Sequence, residues 1–159
     1  MAGLIPCALT ANWVVLIASM PVLKHLMEDV IQFNRFLGLE LIHVDPLATT
    51  IVRIPFRDEY MGDPIKRIVH GGILSTLVDA TGGATAFASF LPDLSGIAGL
   101  NTVDMRVDYL RPGTGLWFEG RGRIVKKGSR IIFTHIEVFS DSGVQVAMGS
   151  AAYSVQQAD

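Results

Sequence analysis

Asp79 is the only charged side chain between residues 73 and 90. A carboxylate in so apolar a run needs an explanation, because an unpaired buried charge is costly. One explanation is structural: a hydroxyl such as Thr76 or Thr81 satisfies it, or the side chain emerges at a surface groove. The other is chemical, with Asp79 as a general base or a nucleophile. Upstream, Gly71-Gly72 directly follows His70 where a loop enters the same apolar run. Glycine lets a ligand approach the backbone, and the free N–H groups and dipole of a helix start favour negative charge. An acyl carbonyl placed there would be polarised and its oxyanion held. The bland alternative is that the two glycines only make a tight turn.

Spacing sharpens the chemical reading. Eight residues of helix put Gly71 and Asp79 about 12 Å apart, too far to act on one carbonyl carbon. Two protomers with their central helices antiparallel would set the helix start of one against the carboxylate of the other. The expectation is therefore an obligate dimer with two composite sites. Other chemistries lack their residues. His25, His43 and His135 have no zinc-site spacing, and neither a Gly-x-Ser-x-Gly elbow nor a nucleotide-binding glycine loop is present.

The elements that would position these groups follow from periodicity. Residues 22–36 carry apolar side chains at spacings of three and four, which predicts an amphipathic helix ended by Gly38. Strand-like runs at 39–44 and 49–56 flank Asp45-Pro46 and predict a first hairpin. Residues 73–90 are apolar nearly all round and predict a buried helix. Its small residues Gly82, Gly83, Ala84 and Ala86 suggest that another backbone approaches closely. Four strand runs follow at 99–110, 115–126, 130–140 and 144–155, separated by turn residues, which predicts an antiparallel meander. A buried helix followed by such strands has one economical solution, an α+β hotdog arrangement in which an antiparallel sheet wraps around a long central helix.

Composition bounds the rest. A chain of 159 residues, 50% hydrophobic and 18% charged, can bury a core without metals or disulfides, and one domain at 22–159 is expected after an uncharged extension at 1–21. That extension has no cationic start, and prolines and polar residues interrupt it, so neither an export signal nor stable membrane insertion is expected. A net charge of −2 and a pI near 6.0 give no footprint for nucleic acid. The single cysteine, Cys7, fits a reducing cytoplasm.

The segment His70-Gly71-Gly72-Ile73-Leu74-Ser75-Thr76-Leu77-Val78-Asp79 resembles the signature of PaaI-like hotdog thioesterases. The likeness continues through Asn101-Thr102-Val103-Asp104-Met105-Arg106-Val107-Asp108-Tyr109-Leu110-Arg111-Pro112-Gly113 and covers roughly residues 36–155. It implies hydrolysis of an acyl-CoA or aryl-acetyl-CoA thioester, with Asp79 as base or nucleophile and the Gly71 amide polarising the carbonyl. His70, beside Gly72, is then a loop-shaping residue. Thr102 corresponds to a family serine or threonine supplied by the facing subunit to orient the water or the acid. Strict strand alternation turns Val103, Met105, Val107 and Tyr109 toward the helix and Thr102 away, so a bulge or an interface position is required. Where family members place an asparagine six residues before the histidine, this chain has Pro64, and Asp63 is the nearest substitute.

Coenzyme A would be part of the substrate, with no separate cofactor or metal. Its phosphates need cations, and Arg111, Lys127 and Arg130, with Lys126, stand at turn ends. Phe87, Phe90, Phe56 and the N-terminal segment would wall the acyl pocket. The sheet's second face, with Ile131, Phe133 and Phe139, is apolar enough to be covered, so a homodimer or a homotetramer is expected. The alternative function is a non-catalytic hotdog module that binds acyl-CoA as a sensor or scaffold. A hotdog dehydratase is disfavoured, because the aspartate–histidine spacing of those enzymes is not found.

Overall fold

The computed structural model describes residues 20–45 and 49–158; the expected extension at 1–21 lies outside them except for its last two residues. The long central helix, α3 (Gly71–Ala88), starts at His70, whose Nδ1 accepts a hydrogen bond from the Gly72 amide at 2.9 Å. That bond satisfies one of the orphan donors of the first turn. Before α3 come a helical segment α1 (residues 20–30), α2 (Gln32–Leu37), β1 (Glu40–Val44), β2 (Thr50–Pro55) and the short hairpin β3 (Met61–Asp63) and β4 (Ile68–Val69). After it come β5 (Ile97–Tyr109), β6 (Trp117–Lys127), β7 (Ile131–Ser140) and β8 (Gln145–Gln157).

One antiparallel sheet has the order β1-β2-β6-β7-β8-β5, and α3 packs on its inner face. Along β7 the side chains alternate, with Ile132, Thr134, Ile136, Val138 and Ser140 buried. This is the expected hotdog arrangement. The four-strand meander is corrected: β6, β7 and β8 are consecutive neighbours, but β5 pairs with β8 at the far edge and β6 pairs with β2. The cause is the link from β5 to β6, which crosses under the start of α3 instead of turning back. The Gly113 carbonyl there accepts from the Val69 amide at 2.9 Å, and the space of a Cβ on Gly113 is filled by Val69 and Phe118.

The expected single helix at 22–36 is two. The last turn of α1, Leu26–Val30, is π-wound, and Ile31 is extended before α2 begins. The β-branched pair Val30-Ile31 is the weakest helix-forming step of the run. Gly38 ends α2 with φ +67, the left-handed cap that favours glycine. The hairpin of β1 and β2 is as expected, closed by Asp45 N–H donating to the Thr49 carbonyl at 2.8 Å.

Close packing of helix on sheet has a different origin from the one expected. Gly82 faces a side chain, the Tyr153 hydroxyl of β8, with Thr134 and Ile136 beside it. The glycines that admit the helix are in the sheet. A Cβ on Gly120 or Gly122 would overlap Thr81 or Thr85 of α3, and one on Gly149 would meet Val78.

Candidate active site

Asp79 sits half-buried at the middle of α3, on the edge nearest β5. Its Oδ1 accepts from Thr102 Oγ1 at 2.8 Å and from the Tyr153 hydroxyl at 3.4 Å. Neither hydroxyl foreseen as a structural partner reaches it. Thr76 donates to the Gly72 carbonyl at 2.9 Å, and Thr81 Oγ1 is buried without a partner among the described residues.

Thr102 reaches Asp79 within one chain, which corrects the expectation that the facing subunit supplies it. A bulge makes this possible. The pairing of β5 with β8 slips between Thr102 and Asp104, so Val103 is the extra residue and points outward, 55% exposed. Thr102 and Met105 then both face inward, opposite Tyr153 and Ala151. Strict alternation was therefore wrong for Thr102 and Val103 and right for Met105 and Val107.

Tyr153 is the residue the sequence reading missed. Its hydroxyl donates to the Asp79 backbone carbonyl at 2.8 Å, fastening β8 to the middle of α3. Burial, then the neighbouring Asp79 charge, pushes its pKa above the usual phenol range, so it stays a donor. The available signal was inward alternation along β8, which aims a tyrosine at the Gly82-Gly83 pair and obliges its buried hydroxyl to find a partner.

Asp79, Thr102 and Tyr153 form the polar end of a cavity of about 500 Å³. Ala80, Gly83, Ala84 and Phe87 of α3 make one wall. Residues 97–100 of β5 make another, and Leu23, Leu26, Met27, Ile31, Phe33 and Asn34 of the α1–α2 region close it. Phe87 is thus placed as expected. Phe90 and Phe56 are not in the lining; Lys127 Nζ lies 3.7 Å over the Phe90 ring, and Arg67 covers Phe56.

Gly71 opens α3 and, as the first helical residue, has no intrahelical acceptor for its amide. Its missing side chain makes room for the Tyr109 ring, whose hydroxyl donates to the Gly71 carbonyl at 3.2 Å and bonds Ser75. Gly71 is outside the cavity that Asp79 enters. Asp63 Oδ1 accepts from the amides of Ile65 and Lys66 at 3.0 and 3.1 Å, which ties its carboxylate into the β3–β4 turn. The candidate phosphate ligands are split. Arg111 donates to the Gln145 carbonyl beyond the end of β5, whereas Lys127 donates to the Ser89 carbonyl at the opposite end of α3, with Arg130 in the adjoining turn. Burial lowers the Lys127 pKa. Among the described residues no group of three or more metal-ligating side chains is gathered, and no helix is long and apolar enough to cross a membrane.

Residues 67–147 match the family model described as the thioesterase superfamily. The medium/long-chain acyl-CoA thioesterase YigI of Salmonella typhimurium is 28% identical over 134 residues, which span 77% of this chain and 84% of that protein. A solved structure from Shewanella oneidensis, related to the thioesterase superfamily, superposes with a TM-score of 0.78 at 30% identity, covering 89% of this chain and 98% of that one. The PaaI protein of the Escherichia coli phenylacetic acid degradation operon shares the fold, with a TM-score of 0.75 at 17% identity over 89% of this chain and 96% of its own.

Proposed function

Since this chain belongs to the thioesterase superfamily, we propose that it hydrolyses an acyl-CoA thioester to a free acid and coenzyme A, with Asp79 as the reacting carboxylate. The observation that carries the reading is the placement of Asp79 at the polar end of a mostly apolar cavity, oriented by Thr102 at 2.8 Å. Oδ1 is occupied, while Oδ2 takes no hydrogen bond among the described residues and is the oxygen available to substrate or water. As a general base, Oδ2 accepts a proton from water as the water oxygen attacks the carbonyl carbon. As a nucleophile, Oδ2 attacks that carbon itself and water then opens the mixed anhydride. In both routes the carbon–sulfur bond breaks and CoA leaves as thiolate.

The Gly71 amide is the proposed donor to the carbonyl oxygen, with His70 and Gly72 holding the helix start open to substrate. Because Gly71 and Asp79 lie about 12 Å apart along α3, the donor comes from a second copy of the chain. Two features support that pairing: β5 is an edge strand of 13 residues with one side unpaired among the described residues, and Tyr109 and Leu110 near its end are 54% and 42% exposed. Arg111 beside one helix start and Lys127 and Arg130 near the other end of α3 then serve different sides of a composite site. Asp63 enters this reading through the turn it holds. The apolar cavity, with a YigI relative named for medium and long chains, supports an aliphatic acyl group.

The test is thiol release from a panel of acyl-CoAs and aryl-acetyl-CoAs by the natural protein and by Asp79→Asn. Turnover by the natural protein and a kcat lower by about 10² or more in the variant, with folding unchanged, is the expected result. Binding without turnover by both would replace the reading with that of a non-catalytic acyl-CoA-binding module.

A further inference from the structure

Asn34 is an anomaly in the wall of the cavity. The residues beside it in the α1–α2 region, Leu23, Leu26, Met27, Ile31 and Phe33, are all apolar, as a pocket for plain hydrocarbon requires. Asn34 is 6% exposed, and its amide is held by α2, whose chain turns back so that the Asn34 carbonyl accepts from the Leu39 amide at 3.0 Å. Among the described residues Nδ2 donates only to the thioether sulfur of Met27, at 3.6 Å, a weak acceptor. Oδ1 receives no hydrogen bond among the described residues. A primary amide offers two donors and a two-lone-pair acceptor, and here one weak bond is made. A hydrocarbon chain laid along this wall would leave that carbonyl oxygen desolvated and unpaired, a cost that a leucine of similar size would not incur.

We propose that the cavity takes an acyl chain bearing a hydroxyl group, which donates to Asn34 Oδ1. The proposal rests on the thioesterase reading for the CoA end of the ligand but not on which residue performs the chemistry. It names a hydroxyl and not a carbonyl, since a hydroxyl can donate to the free Oδ1 as well as accept from the second N–H, whereas a carbonyl can only accept. Asn34 is not bonded to Asp79, Thr102 or Tyr153, so it is a second polar point in the cavity and fixes the position of the hydroxyl relative to the thioester.

The experiment uses thioether analogues of acyl-CoA, which cannot be hydrolysed, as a series of equal chain length: unsubstituted, hydroxylated at successive carbons, and the keto counterpart of each. Affinities are measured by calorimetry for the full chain and for Asn34→Leu, with thermal unfolding as a control for folding. The natural protein should bind one hydroxylated chain at least roughly tenfold more tightly than the plain chain and the matching keto chain. Asn34→Leu should abolish that preference while binding the plain chain as well or better. No preference at any position in the natural protein overturns the proposal, whether or not the variant folds. A preference that survives Asn34→Leu, or equal binding of hydroxy and keto chains, overturns it too. Because the analogues are inert, absence of turnover with true thioesters would sink the thioesterase reading and leave this result standing. Turnover of plain acyl-CoAs without a hydroxyl preference would do the reverse.

Discussion

The Tyr153 hydroxyl does two jobs with one oxygen. By donating to the Asp79 backbone carbonyl it anchors the middle of α3 to β8, and its 3.4 Å approach to Oδ1 adds a second donor beside Thr102. Tyr153→Phe keeps the ring but removes both contacts. A buried hydroxyl and its bond to the helix are lost together, so a loss of about 1 kcal/mol in thermal unfolding is expected. The carboxylate loses an orienting donor, and kcat should fall roughly tenfold with little change in KM. A drop in stability with unchanged kcat would make Tyr153 purely structural.

Among elements, the contact of α3 with the sheet is set by glycines on the strands. Gly120→Ala places a methyl group against the Thr81 hydroxyl, which is already buried without a partner among the described residues. Overpacking of this kind costs about 1–3 kcal/mol, and Thr81→Ala added to it should recover most of the loss in denaturant titrations. Nearly additive losses would show that the two residues do not share the space. The same contact explains what could be read from the sequence. Asp79 stood out because α3 has no other charge, and the His70-Gly71-Gly72 start was legible because loop chemistry there is local. Thr102 was not, because a bulge at Val103 is decided by cross-strand pairing with β8, 50 residues away, and alternation alone puts Thr102 on the wrong face. Asn34 escaped notice because the break at Ile31, which a uniform helical period does not reveal, sets α2 and its Asn34 against the cavity. The position of β5 at the far edge was likewise hidden, since runs of strand and turn residues do not record which neighbours pair.

At the scale of the whole molecule, the proposed reading requires two chains to meet before the cleavage site is complete. Two variants expected to be inactive test this together: Asp79→Asn, and Gly71→Pro, which removes the amide at a first-turn position whose backbone admits proline but whose new ring crowds Tyr109, so folding is checked beside activity. Mixed after unfolding and refolding, half the dimers should be heterodimers and each should carry one intact site of two, so activity should return to about a quarter of the natural value. No recovery from a folded mixture would confine the site to one chain. The tyrosine lodged in α3 has a consequence at this scale as well. Opening the middle of the helix breaks the bond from Tyr153, and β8 is held between β7 and β5. Local opening at the helix centre is thereby coupled to the inner strands. Asp79 is held by packed structure on both sides of the core, unlike a residue carried on a loop.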